Sequence, residues 1–375
     1  MRWIWQRADW PKFRWEAETL LPLLSKARLE QGKLLAQAKG LGFDLGQEAG
    51  VDVLIEEVVK TSAIEGAQLN RDAVRSSVAK HLGIPIFGLP EPTRSIDGLV
   101  EILLDATHKY DQLLTEERIK SWQAALFPTG YSGLLRIQTG EWRSGEDPMQ
   151  VVSGRMGKEV VHFEAVPSSS VKKEMNQFLL WWERTRSKVD GLLRAGLAHF
   201  YFVTIHPFED GNGRIARALT DMALAQDEKI STRFYSLSSQ IMKERKQYYE
   251  VLEHCQRGDT DITTWLAWFL ASYTRSLENS TSLIAHVLDK ASFWKYFSQS
   301  TLNDRQRKVV NILLDAGKGK FQGGLTTRKY SSIAKVSRAT AFREITDLIE
   351  KEIIVQNLSK GRSTSYDLNW EICRE

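Results

Sequence analysis

Apolar and polar positions alternate with helical periodicity over most of this chain, and the exceptions mark its joints. The stretch "WEAETLLPLLSKARLEQGKLLAQAKGLG" predicts a first long helix with a glycine stop. "QEAGVDVLIEEVVKTSAIEGAQLNRDAV" predicts a second helical run, and the glycine- and proline-rich "LGIPIFGLPEPTR" breaks the pattern after it. A helical block starts near Ile96 with "SIDGLVEILLDATHKY" and continues through "TEERIKSWQAALF". Between Thr139 and Phe163 the period changes. "MQVVSG" and "EVVHF" are short β-prone runs separated by "GRMGK", a hairpin signal. Helices resume at "SSSVKKEMNQFLLWWERT", pass through "GLLRAGLAHFYFVTIHPF" and are expected to end about Glu278.

The last 75 residues have their own pattern. "NDRQRKVVNILLDAG" is an amphipathic helix, and "TTRKYSSIAKV" and "SRATAFREITDLIEKEI" are two more, joined by a tight turn. "IVQNLSKGRSTSYDLN" then predicts two strands around a basic tip. Helix, helix-turn-helix and basic hairpin together resemble a winged helix. The expected fold class is mainly α, with domains at 1–94, 95–278 and 279–375. No internal repeat or low-complexity tract interrupts it.

Composition narrows the setting. The 375 residues suffice for two or three domains, and 42% apolar with 26% charged is ordinary for a globular chain. Cys255 and Cys373 are too few for a disulfide framework and have no metal-ligand spacing, which fits reduced thiols. The opening "MRWIWQRADWPKFRW" interrupts its aromatics with charge, unlike a signal peptide, and no run approaches the roughly 18 apolar residues of a membrane span. A cytoplasmic protein without membrane contact is expected. Four of the twelve tryptophans (Trp3, Trp5, Trp10, Trp15) fall in the first 45 residues and are expected to form a packed mini-core rather than a binding face. The net charge of +4 is uneven: from Thr301 onward, 14 Lys and Arg stand against 9 Asp and Glu. Basicity therefore gathers where a nucleic-acid-binding segment would lie.

The densest chemistry is "TIHPFEDGNGRIARAL", residues 204–219. His206 follows an apolar run and can serve as a general base near neutral pH. Successive N–H groups in the turn Gly211-Asn212-Gly213, opening a helix, make an anion nest to which the helix dipole adds. Arg214 and Arg217, three apart, share a face and can fork onto phosphate oxygens. Asp210 is placed for Mg²⁺, which binds phosphates through one or two carboxylates. A calcium loop fails in either register, with Ile215 at the glycine position or Leu219 at the twelfth, and no Walker loop occurs.

"HPFEDGNGRIAR" resembles the signature of the Fic family, matching H-x-F-x-[DE]-G-N-G-R-x-x-R at every fixed position from His206 to Arg217. The likeness extends from about Ser95 to Thr274. It implies a helical core with a β-hairpin flap and transfer of AMP from ATP to a protein hydroxyl. On that resemblance His206 would deprotonate a target Ser, Thr or Tyr, and Asp210 would hold Mg²⁺. Gly211, Asn212 and Gly213 would cradle the phosphates, with Arg214 and Arg217 on their outer oxygens. Phe208 would anchor the loop in the core. Val151 and Val152 of the flap would lie beside the target segment. Tyr248 and Tyr249 match a tyrosine pair near the nucleoside. Two departures stand out: "EAVPSS" follows the flap where a Pro-Pro pair is common, and Gln256 stands where some relatives carry Asn.

Upstream, "TSAIEG" at 61–66 resembles the family's inhibitory motif [ST]-x-x-x-E-[GN]. If Glu65 reaches Arg217, it occupies the cation meant for the γ-phosphate. The leading expectation is an autoinhibited, Mg²⁺-dependent protein adenylyltransferase that acts on a target protein or on itself. A DNA-binding regulator with a nucleotide-sensing Fic core stays open, as do AMP removal, UMP or phosphocholine as donor groups, and homodimerisation.

Overall fold

The computed structural model describes residues 3–84, 89–153, 160–319, 321–357 and 364–370. They divide into two compact units, 1–281 and 282–375.

In the first unit the N-terminal segment leads into α1 (Ala17–Gly40), α2 (Gly42–Ile64) and α3 (Arg71–Leu82). Asn70 caps α3, accepting from Asp72 N and Ala73 N, and Gly83 ends it in the left-handed region. The Pro/Gly stretch then separates α3 from α4 (Arg94–His108) and α5 (Glu116–Leu126). A short ladder of β1 (Tyr131–Ser132) and β2 (Leu135–Arg136) follows. The hairpin of β3 (Gln150–Ser153) and β4 (Val160–Glu164) is antiparallel, with a register shift between Val151 and Val152. Its "GRMGK" turn lies outside the described residues. Next come α6 (Ser168–Thr185), α7 (Gly191–Ile205), α8 (Asn212–Glu228), α9 (Leu237–Lys243), α10 (Arg245–Gln256) and α11 (Thr263–Tyr296), of which residues from 282 onward belong to the second unit. α11 runs well past Glu278 because residues 279–296 contain neither Gly nor Pro to stop it.

α7 is the centre of this unit. Every residue from Leu192 to Ile205 is buried, as expected of a helix that is apolar nearly all round. Its one arginine, Arg194, stacks on the Trp182 ring at 4.0 Å and donates to Gln226 Oε1 and Trp182 O. Gly196 leaves room for α11: a β-carbon there would lie 2.9 Å from the Phe269 ring, and Trp265 Nε1 donates to the Gly196 carbonyl at 2.8 Å.

Two of the N-terminal tryptophans, Trp3 and Trp5, belong to a small packed cluster completed by Phe163 and Ala165. Trp3 meets Phe163 of β4 edge-on at 5.4 Å, and Trp5 Nε1 donates to Glu164 O at 2.7 Å. Trp10 packs on Tyr201 of α7 and donates to Glu174. Large apolar surfaces so close to the β3–β4 hairpin and α7 gain more by covering them than by self-association.

The second unit contains α12 (Asp304–Ala316), α13 (Thr327–Ala334), α14 (Arg338–Glu350) and the antiparallel pair β5 (Ile354–Gln356) and β6 (Tyr366–Leu368). Leu325 bridges to Tyr366, widening the ladder. A capping box of Asn303 and Gln306 starts α12. Val309, Val310, Leu313, Tyr330, Ile345 and Leu348 are in its core. Most of the basic "SKGRSTS" tip lies outside the described residues.

Candidate active site

α7 ends abruptly. Its C-cap is His206 at φ 52° and ψ 59°, a left-handed conformation that costs a non-glycine residue about 1 kcal/mol or more. The chain then turns outward into the loop that leads to α8. Phe208, fully buried, stacks on Trp142 at 4.8 Å and pins this loop to the core. Asn212 closes it from the other end: its Oδ1 accepts from Phe208 N at 3.0 Å and its Nδ2 donates to Phe208 O at 2.7 Å. The Asn212 side chain is therefore occupied inside the loop. Its backbone N–H is what remains to face an anion, the group the Gly-Asn-Gly turn was expected to offer.

Gly211 is the N-cap of α8 at φ 91°, and a β-carbon there would press on Leu126 and Phe127 at 3.0 Å. With no side-chain cap, the first N–H groups of α8 remain available to a negative group. The carboxylate of Glu65 stands there. Its Oε1 occupies the space that a β-carbon on Gly213 would need, and it accepts from Arg217 Nη2 at 2.7 Å. Arg217 is 2% exposed; its Nε donates to Thr61 Oγ1 at 2.6 Å and its Nη2 to Thr61 O at 3.0 Å. Burial disfavours the Arg217 cation, but Glu65 together with Tyr248 and Tyr249 outweighs burial and raises its pKa. α2 delivers Glu65 to this place because Arg245 Nε and the Tyr249 hydroxyl both donate to the carbonyl of Ile64, at 2.7 and 3.3 Å.

The other site residues surround this contact. Arg214 lies over the Phe127 ring at 4.9 Å and 3.6 Å from Asp210. Asp210 is partly exposed and accepts from Ser132 Oγ of β1 and from Gly211 N. His206 directs Nδ1 at the Val203 carbonyl, 3.2 Å away. With Nδ1 as the donor, Nε2 carries the free lone pair. Burial is the main cause that pushes the His206 pKa down to about 4, so the ring is neutral near pH 7.

A cleft of about 780 Å³ joins Glu65, His206 and Gly213 to Tyr249 of α10 and to Val151 and Val152 of β3. Val152 is exposed. Tyr248 is 2% exposed and has its hydroxyl engaged with His199 Nε2 at 2.9 Å. Thr220 donates to Ala216 O, so it accepts from His199 Nδ1, and Tyr248 is the donor to Nε2. Of the tyrosine pair, Tyr249 is the more accessible to a ligand.

Three neighbours carry no signal in the sequence: Arg143 donates to the His206 carbonyl, Ser132 to Asp210 and Arg245 to Ile64. Each lies dozens of positions from its partner, and no local spacing marks it. Thr61, which accepts from Arg217, is the first fixed position of the 61–66 motif.

Residues 113–224 match the model of the Fic/DOC family. This stretch, which holds His206 to Arg217, is similar to Fic/DOC domains. Residues 3–84 match a second model, described as a domain of unknown function (DUF4172). The chain is 26% identical over 223 residues to a protein adenylyltransferase Fic of Nematostella vectensis, covering 56% of this chain and 44% of that protein. It is 32% identical over 172 residues to the protein adenylyltransferase fic-1 of Caenorhabditis elegans, covering 44% and 31%. A uridine 5'-monophosphate transferase of Xanthomonas campestris is 28% identical over 127 residues, covering 29% and 23%. The chain thus spans less than half the length of these relatives. Among solved structures, a Fic family protein from Desulfovibrio desulfuricans G20 superposes with a TM-score of 0.54 at 19% identity, over 93% of this chain and 95% of that one. A Fic domain containing signaling protein from Bacteroides thetaiotaomicron gives 0.51 at 18% identity, over 68% and 98%. This chain shares their mainly helical fold. No described helix is long and apolar enough to cross a membrane.

Proposed function

We propose that this chain is a protein adenylyltransferase, moving AMP from ATP to a Ser, Thr or Tyr hydroxyl, and that Glu65 holds it inactive. The observation that carries the reading is the Glu65 carboxylate over Gly213 and against Arg217, a negative group where the helix N-terminus and a buried cation would otherwise take phosphate. The adenylyltransferase names of two relatives support ATP as the donor.

In the reaction the acceptor hydroxyl gives its proton to His206 Nε2 while its oxygen bonds to the α-phosphorus. The bond from that phosphorus to the bridging oxygen breaks, and pyrophosphate leaves. The N–H groups of Asn212 and Gly213 and the guanidinium groups of Arg214 and Arg217 neutralise the phosphates. The chain contributes mainly alignment and fixed charge. Among the described residues no cluster of three or more His, Cys, Asp or Glu would hold a metal alone. Mg²⁺ needs no such cluster: Asp210, partly exposed beside the nest, is the single carboxylate that this ion uses together with phosphates. When bound, Mg²⁺ would supply further neutralisation of phosphate charge.

On this reading residues 1–94 form the inhibitory domain, 95–278 the catalytic one and 279–375 a winged-helix module. Duplex binding by that module is supported by Arg338, Phe342 and Arg343, all exposed on α14, and salt-dependent titration with duplex DNA tests it.

The decisive experiment uses Glu65→Gly protein with Mg²⁺ and ATP labelled at the α- or the γ-phosphate, with and without cell lysate. Label kept on protein from α-ATP alone, and lost in His206→Ala, is the expected result; label on the enzyme itself identifies self-modification. Label from γ-ATP, or from neither, overturns the proposal. Labelled UTP run in parallel tests the alternative donor.

A further inference from the structure

Arg143 stands out among the described buried cations because every hydrogen bond of its side chain goes to a backbone carbonyl. It is 5% exposed and lies between β2 and β3, far in sequence from the residues it holds. Its Nε donates to His206 O at 2.7 Å, its Nη2 to Ile205 O at 3.5 Å and also to Val166 O. Its backbone N donates to Pro207 O at 3.0 Å. One residue thus takes the carbonyls of three consecutive residues at the end of α7, groups that a helix terminus leaves unpartnered. A cation is also the charge that the C-terminal end of the helix dipole favours.

These contacts coincide with the left-handed conformation of His206. A non-glycine residue stays in that region only where its surroundings over-determine it. The Val166 contact extends the clamp further. Val166 follows β4, and Ala165 N donates to Met149 O at 2.9 Å to close the root of the β3–β4 flap. The same guanidinium therefore grips both the turn that presents the His206 imidazole and the base of the flap.

We propose that Arg143 is a positioning residue for transfer, fixing the His206 imidazole relative to the flap root so that base and acceptor meet in register. This rests on the adenylyl-transfer reading, in which the flap registers the acceptor. Misplacement by about 1 Å can cost about a hundredfold in rate. Arg143 also faces the imidazole electrostatically. The charged groups around His206 are Arg143, which disfavours its protonation, and Glu65 and Asp210, which favour it; the Val203 carbonyl favours it too.

The test compares Arg143→Lys and Arg143→Met, each in the Glu65→Gly protein. It measures kcat, the ATP Kd by calorimetry, and the titration of the His206 ring by NMR without nucleotide. The expected result for Arg143→Met is a fall in kcat of about a hundredfold, an ATP Kd within threefold of the parent, and a His206 titration midpoint moved upward. Arg143→Lys should keep the midpoint near that of the parent, because it keeps the charge. It should still lose at least tenfold in kcat, because an ammonium lacks the planar fork. Values of kcat within threefold of the parent in both variants, or an unmoved midpoint in Arg143→Met, overturn the inference. If Arg143→Met fails to fold, the Arg143→Lys kcat decides alone. A parent that transfers no label defeats the reaction reading, whereas the nucleotide-free titration still decides whether Arg143 faces the base.

Discussion

Glu65 and Arg217, 152 positions apart, meet at 2.7 Å directly above the backbone of Gly213. A β-carbon on Gly213 would overlap the Glu65 carboxylate. Gly213→Ala should therefore expel Glu65, yet also crowd the surface against which phosphates would lie. The expected outcome is a lowered melting temperature with no gain in transfer, in contrast to Glu65→Gly, where transfer rises at least tenfold. Thermal melts and label transfer on the two variants separate these effects; a Gly213→Ala protein as active as Glu65→Gly would show that the nest takes no part.

Asn212 gives a second prediction. Removing its side chain leaves the buried Phe208 N–H without an acceptor, which costs about 1–3 kcal/mol. Asn212→Ala should lose that much stability in a denaturant melt. In the Glu65→Gly background it should also lose transfer by more than tenfold, because His206 and Asp210 are mounted on the loop that Asn212 closes. Unchanged stability would mean that water replaces the side chain.

The pH dependence follows from two histidines. Burial pushes His206 down to about 4 and His199 to about 3, against about 6.5 for an unfolded chain. Between these values the unfolded state binds more protons, so stability is fully present above about pH 6.5 and falls as the pH drops toward 4 and then 3. His199→Gln should flatten that acid-side fall in melting temperature. Transfer by Glu65→Gly should persist to about pH 5, since His206 Nε2 stays unprotonated there. An acid limb near pH 6.5 would show that His206 is more hydrated than its surroundings indicate.

Metal removal is the fourth test. Chelation of Mg²⁺, or Asp210→Ala, should abolish label transfer by the Glu65→Gly protein. Ser132→Ala, which removes a donor to the Asp210 carboxylate, should shift the Mg²⁺ concentration needed for half-maximal rate. Transfer at full rate in chelator would exclude the ion from the reaction.

Much of this site is legible in the sequence alone. Helix periodicity located α1, α6, α7 and α14 to within a few residues, because one apolar face or an all-apolar run leaves little choice of period. The histidine, the nest and its arginines fall within one loop and one helix turn, so local spacing exposes them. Residues that act at a distance were hidden. Arg143 reads as an ordinary charged position in "GEWRSG", and nothing local says that its partners are carbonyls at 205–207. The role of the Asn212 side chain was also concealed, since the same amide could as well have faced a ligand. The partners of the tryptophans were hidden for a related reason: clustering in sequence says that they pack, not against what.

The way Trp3 and Trp5 lean on β4 has a practical corollary. The N-terminal region that carries Glu65 also props the flap, through Phe163 and the Glu164 carbonyl. Proteolysis that strips residues 3–84 would lift the restraint and unseat the acceptor platform in one cut. A clipped protein should therefore be a poorer catalyst than the full chain carrying Glu65→Gly, and release of the brake in the intact molecule calls for a small withdrawal of the end of α2 with the tryptophans left in place.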